Sequence, residues 1–68
     1  MIENNVRERI INVLIKHPEG LTLLNISNLI GMNRVTISKY VYGLIAEDMI
    51  YQKKIGPAKL CYLKKMIK

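Results

Sequence analysis

Two chain-breaking residues, Pro18 and Gly31, divide the first two thirds of this 68-residue chain into three short segments with apolar residues at helical spacing. Proline disfavours a helical conformation at the residue before it, and glycine supplies the positive φ with which many helices end. The pattern predicts a first helix over residues 4–17, a second over 23–30 and a third over 34–48. The fold must therefore pack three short helices together.

The connections between these helices carry the expected turn and cap residues. Thr22 and Asn33 precede the second and third helices, and both residue types cap helix N-termini. Leu21 is expected to lie extended before Thr22, where it can add a third strand to a sheet. Gly43, inside the third helix, indicates close packing there or a weakened helix.

The apolar pattern changes after Asp48. Residues 49–55 and 59–63 are rich in β-forming residues, and Gly56-Pro57 separates them. This predicts an antiparallel hairpin over residues 49–63, followed by a basic tail over 64–68. Proline fits neither central position of a type I′ turn, so a loop of about four residues is expected. The fold class is α+β, with three helices and one small hairpin.

Composition limits both the domain count and the chemistry. The chain is long enough for one domain, near the lower limit for a single apolar core, and it contains no Phe or Trp. The single cysteine, Cys61, has no internal disulfide partner, and with one histidine it cannot complete an ordinary zinc site. No metal or other cofactor is expected. The longest apolar run is too short to span a membrane, and the N-terminus does not resemble a signal peptide, so a cytoplasmic protein is expected.

Catalysis has little support in the sequence. His17 stands alone at a predicted helix end, and neither Ser27 nor Ser38 has a base at a suitable spacing. The acidic residues show no spacing typical of a paired-carboxylate site. We therefore expect a protein that is not an enzyme.

The net charge of +6 is concentrated at one end of the chain. Residues 1–49 carry equal numbers of basic and acidic residues, whereas residues 50–68 carry six lysines and no acid. Such asymmetry is typical of a protein that binds a polyanion. The alternative is that these lysines only keep the surface solvated.

The order of these elements resembles the winged helix-turn-helix domains of archaeal and bacterial regulators. Residues 21–41 look like their helix-turn-helix core, with Gly31-Met32-Asn33 at the turn and Thr36-Ile37-Ser38-Lys39 at the start of the recognition helix. The resemblance implies that the third helix is a recognition helix and that the hairpin is the wing. Asp48 departs from the glycine that many members have before the first wing strand. Aspartate tolerates the left-handed conformation, so the same backbone is expected.

The third helix has the two faces that a DNA-reading helix needs. If Ile37, Val41 and Leu44 point inward, the opposite face is polar and basic, and no acid occurs between Gly20 and Ala46. The predicted DNA-binding residues on this helix are Asn33, Arg34, Val35, Thr36, Ser38, Lys39 and Tyr42. Those on the wing are Lys53, Lys54 and Lys59. Alternatively, Val35 and Tyr42 cover a neighbouring element or a partner, and Lys39 is solvated surface.

The function predicted from these features is sequence-selective binding of double-stranded DNA in transcriptional regulation. Winged helices also serve as protein-interaction modules, so that use is the main alternative. RNA binding is a third possibility.

A second apolar stripe on the first helix suggests that two copies of the chain associate. Ile11 and Ile15 lie on this stripe, which a three-helix core does not need. We expect these residues to form the interface of a homodimer. The alternative is that Met66 and Ile67 of the basic tail fold back over the stripe.

Overall fold

The computed structural model describes residues 2–64, which form three helices followed by a two-stranded antiparallel hairpin. This confirms the α+β winged helix-turn-helix architecture. The elements are α1 (Ile2–Lys16), α2 (Leu23–Ile30), α3 (Arg34–Ala46), β1 (Ile50–Ile55) and β2 (Ala58–Leu63).

The core is aliphatic and receives side chains from every helix and from both strands. Removing each of the larger side chains from water stabilises the fold by about 1.5–3 kcal/mol relative to leaving it exposed. The fully enclosed members are Ile10, Leu14, Ile26, Ile37, Val41, Leu44, Ile50 and Cys61. Cys61 is a free thiol, and its burial raises the pKa of that thiol, so the neutral form is favoured.

The predicted caps of α2 and α3 are confirmed. The Thr22 hydroxyl accepts a hydrogen bond from the Asn25 backbone, and the Asn25 side chain accepts one from the Thr22 backbone, which completes a capping box. Gly31 ends α2 in the left-handed conformation, with φ of 83°. The Asn33 side chain caps α3.

The helix ends differ from the sequence-based boundaries. The third helix stops at Ala46 rather than 48, because Glu47 forms its C-cap and Asp48 takes a positive φ of 68°. The left-handed conformation expected at Asp48 is therefore confirmed, and it turns the chain into β1. At the other end of the chain, α1 begins at Ile2 and ends at Lys16, one residue before His17.

The wing loop is shorter than expected. Ile55 pairs with Ala58, so Gly56-Pro57 forms a two-residue connection and the prediction of about four residues is wrong. Gly56 has φ of 60°, whereas the proline ring fixes a negative φ at the next position. A positive φ at the first central position alone is the pattern of a type II′ turn, which accepts this dipeptide although type I′ does not.

The connection between α1 and α2 packs against the hairpin. The Leu21 backbone donates to the Cys61 carbonyl at 3.1 Å, and the Cys61 backbone donates in return. The third strand expected at Leu21 is thus present as a single bridge. Gly20 has φ of 99° and lies under the Tyr62 ring, which stacks on Tyr51 with 5.2 Å between centroids.

We expect Gly20→Ala to destabilise the protein by about 2 kcal/mol or more, because it combines an unfavourable φ with a clash. An added Cβ would lie 2.8 Å from the Tyr62 ring, which is held by its stack on Tyr51. Gly43→Ala is the matched control. It introduces a better helix former into open space and should stabilise the protein by about 1 kcal/mol. Urea unfolding of both variants measures the two effects, and a neutral Gly20→Ala would contradict the close packing at the bridge.

Candidate nucleic-acid interface

Burial of one stripe fixes the rotation of α3 about its axis. Ile37, Val41 and Leu44 are inaccessible to solvent, which confirms the predicted inward face. Val35, Lys39 and Tyr42 lie on the opposite side and are exposed. The first turn also exposes Arg34, while Thr36 is half-buried on the flank. The outward face therefore presents two apolar side chains with a lysine between them.

Two of the residues predicted to contact DNA hold the first turn of α3 in place. The Asn33 side-chain carbonyl accepts a hydrogen bond from the Val35 backbone at 2.7 Å. The Ser38 hydroxyl donates to the Val35 carbonyl at 2.9 Å. Asn33 retains its side-chain amide donor and Ser38 retains lone pairs, so each can still meet a ligand with the remaining group.

The wing places two of its three predicted lysines directly opposite each other. Lys54 pairs with Lys59 across the hairpin, whereas Lys53 lies on the other face, opposite Leu60. All three lysines are exposed. Like charges opposite each other destabilise a hairpin, so the pair of Lys54 and Lys59 is unfavourable unless an anion lies nearby. A four-residue loop centred on Gly56-Pro57 would give the same pairing, so it could have been derived from the predicted hairpin.

Most of the acidic side chains that the structure describes are paired with basic side chains. These pairs lie away from the outward face of α3 and from the tip of the wing. Arg7 forms a bidentate pair with Glu47 at 2.7 and 3.0 Å, and this hydrogen bonding lowers the pKa of the carboxyl group. Lys64 pairs with Asp48 at 2.6 Å, and His17 bonds to Glu19 at 3.0 Å. Among the described side chains of residues 5–64, no ion pair involves the basic residues predicted to bind DNA: Arg34, Lys39, Lys53, Lys54 and Lys59.

Gly43 lies on the exposed side of α3 and does not serve internal packing. A Cβ built at this position would have no atom within 4 Å among its surroundings. Close packing inside the described chain is therefore excluded as the reason for this glycine. The helix accepts the glycine at a cost of about 1 kcal/mol relative to alanine.

The second apolar stripe of α1 is only partly free. Ile15 is 57% exposed, but Ile11 is half-buried and packs against the core. Ile15 lines an open groove of about 620 Å³, together with Pro18, Tyr51 and Tyr62. Met66 and Ile67, the alternative cover for this stripe, lie outside the described residues.

The part of the chain that the structure describes has neither a metal cluster nor a membrane-spanning helix. The described side chains of residues 5–64 include no group of three or more His, Cys, Asp or Glu placed to hold a metal ion. In the same residues, no helix has both the length and the apolar character needed to cross a membrane.

The three helices, the turn at Gly31 and the basic hairpin define a winged helix-turn-helix DNA-binding domain. Residues 9–54, more than half of the chain, match the model of the IclR helix-turn-helix domain. The chain belongs to this family. No curated protein sequence matched it.

Two solved structures share the fold at low sequence identity. The Zα domain of PKZ from Carassius auratus, solved in complex with Z-DNA, is 20% identical with a TM-score of 0.83, and the match covers 94% of this chain and all of that one. The apo Zα domain of zebrafish PKZ is 20% identical with a TM-score of 0.86, over 93% of this chain and 97% of that one. At this identity the likeness establishes the fold.

We expect Lys54→Glu to raise the thermal midpoint while lowering affinity for duplex DNA. The change replaces a repulsive cross-strand pair with an attractive one, which contributes roughly 0.2–1 kcal/mol. Lys53→Glu is the matched control, because Lys53 lies opposite Leu60 and gains no such partner. Melting at low salt measures the first effect and gel shifts measure the second. A higher midpoint for both variants would contradict the register.

Proposed function

We propose that this protein binds double-stranded DNA with sequence selectivity and regulates transcription. In this proposal α3 enters the major groove, and the wing contacts the backbone or minor groove. The observation that carries the proposal is the distribution of charge: among the side chains that the structure describes, residues 5–64, the basic residues of α3 and the wing form no ion pairs. Exposed cations without acidic partners are the electrostatic requirement for phosphate binding.

The first turns of α3 carry the side chains that base reading requires. A recognition helix contacts base edges mainly through its N-terminal residues, and Arg34, Val35 and Lys39 are exposed there. Arginine and lysine hydrogen-bond to guanine, and apolar groups contact thymine. The complex of the Carassius auratus domain with Z-DNA supports DNA as a partner for this fold.

We also propose that the protein acts by binding rather than by catalysis, and that it works in the cytoplasm. The candidate nucleophiles are engaged with the backbone: Ser27 donates to the Leu24 carbonyl and Ser38 to that of Val35. A free buried thiol at Cys61 suits a reducing compartment.

Arg34→Ala and Lys39→Ala should each weaken binding to a selected duplex by roughly five- to a hundredfold, depending on whether the lost contact is to phosphate or to base. Both side chains are exposed, so the thermal midpoint should stay nearly unchanged. Lys16→Ala, an exposed lysine of α1, is the matched control and should bind as the wild type does. Fluorescence anisotropy over a salt series gives the affinities, and each lost phosphate contact should flatten the salt slope by about one.

Three results would reject the proposal. Unchanged affinity with a lowered midpoint would show that α3 faces the core differently. Binding to a protein partner with little salt dependence, and none to DNA, would favour the interaction-module alternative. RNA as the preferred competitor would reassign the surface to RNA.

A second candidate is recognition of left-handed DNA by its shape. It is favoured by the fold shared with the Z-DNA-bound domain over nearly the whole chain. Competition between a right-handed duplex and a brominated alternating d(CG) duplex held in the left-handed form separates the two candidates. A preference for the brominated duplex would support shape recognition and reject reading of the major groove.

The assembly that we propose is a homodimer formed through α1. Ile15 is the exposed part of the predicted interface, and the adjacent groove with Tyr51 extends the apolar surface around it. A small domain gains stability by burying such a surface against a second copy. Twofold pairing would direct two recognition helices at half-sites about 10 bp apart, or a multiple of that distance, so the preferred DNA site would be an inverted repeat.

Ile15→Lys should convert the dimer to a folded monomer, because it places a charge in the proposed interface. Ile11 is unsuitable for this test, since it packs against the core. Leu24→Lys, at a position that is 52% exposed on α2, is the matched control and should remain dimeric. Sedimentation equilibrium at concentrations on the order of tens of micromolar measures the assembly. A monomeric wild type, or a dimeric Ile15→Lys, would reject the interface.

A further inference from the structure

Val35 is an apolar side chain without a role in the described fold. It is 63% exposed, more than any other large hydrophobic side chain that the structure describes, and it does not pack against the core. It occupies the second position of α3, where an alanine would form a better helix. The stability of the helix therefore gives no reason for a valine at this position.

The backbone of Val35 is nevertheless held from both sides. The Asn33 side chain accepts from its N–H at 2.7 Å, and the Ser38 hydroxyl donates to its carbonyl at 2.9 Å. A β-branched side chain on a helix also has one strongly preferred χ1 rotamer. Val35 thus presents two methyl groups in a fixed position and loses little conformational entropy when it meets a ligand.

We propose that Val35 is a specificity-determining residue that contacts the C5-methyl group of a pyrimidine in the major groove. This inference rests on the proposed function. The major-groove edges of unmodified base pairs carry one apolar group, the thymine methyl, and the remaining positions are hydrogen-bond donors and acceptors. A 5-methylated cytosine presents the same group. An exposed valine at the N-terminal end of a recognition helix matches this chemistry and no other feature of the groove.

The position of Lys39 sets where this methyl group lies. Lys39 follows Val35 by four residues on the same face, which corresponds to a rise of about 6 Å along the helix. Successive bases of one strand are about 3.4 Å apart, so the two side chains reach positions about two base steps apart. The methyl group read by Val35 should therefore lie within about two steps of the base or phosphate that Lys39 contacts.

The test uses the full chain and a duplex site selected from random DNA. Each thymine of the site is replaced in turn by deoxyuridine, which removes only the methyl group, and each cytosine by 5-methylcytosine. We expect one replacement per half-site to change wild-type affinity by roughly three- to tenfold, as burial of a methyl group against valine implies. A loss with deoxyuridine identifies thymine as the source, and a gain with 5-methylcytosine identifies the modified base.

Val35→Ala should bind the duplex with and without that methyl group equally, while its thermal midpoint stays at or above that of the wild type. Leu29→Ala, at an exposed leucine of α2, is the matched control and should keep the full discrimination. The inference is overturned if no methyl replacement changes wild-type affinity, or if Val35→Ala discriminates as the wild type does. Failure of the wild type to bind any duplex would instead overturn the proposed function, and this inference with it.

Discussion

The rotation of α3 depends on the burial of one stripe of three aliphatic side chains. Ile37, Val41 and Leu44 are fully enclosed by the rest of the domain, so the opposite side of the helix must face solvent. Whether the residues on that outer side are polar or apolar therefore has little influence on folding. The chain is therefore free to place Val35, Lys39 and Tyr42 there, and to keep a glycine at position 43.

Charged side chains form ion pairs in one part of the molecule and are exposed without partners among the described side chains in another. The bidentate pair of Arg7 with Glu47 joins α1 to the end of α3, and the pair of Lys64 with Asp48 joins the two ends of the hairpin region. These exposed pairs each contribute little on their own. They also neutralise acids that would otherwise repel a polyanion. The electrostatic potential near α3 and the wing is therefore set mainly by the lysines and the arginine there.

The sequence predicted the order of elements, the caps and the inward stripe of α3, because each follows from local rules of periodicity and hydrogen bonding. It did not predict the length of the wing loop. Proline excludes a two-residue loop of type I′, but a two-residue loop of type II′ accepts glycine followed by proline, and this second type is the one that occurs. The pairing of Lys54 with Lys59 does not depend on this difference, because loops of two and of four residues centred on Gly56-Pro57 give the same register. The partial burial of Ile11 depends on how α1 packs in three dimensions, which helical periodicity alone does not specify.

The tight Gly56-Pro57 turn restricts how the length of the wing can change without reversing the faces of its side chains. Because the connection has no spare residue, any change in wing length must be made within the strands themselves. Adding one residue to each strand keeps the pairing but moves the tip lysines to the opposite face of the ribbon, whereas adding two to each restores their original orientation. Related wings of different length that keep lysines at the tip on the same face as Lys54 and Lys59 should therefore differ by two residues in each strand.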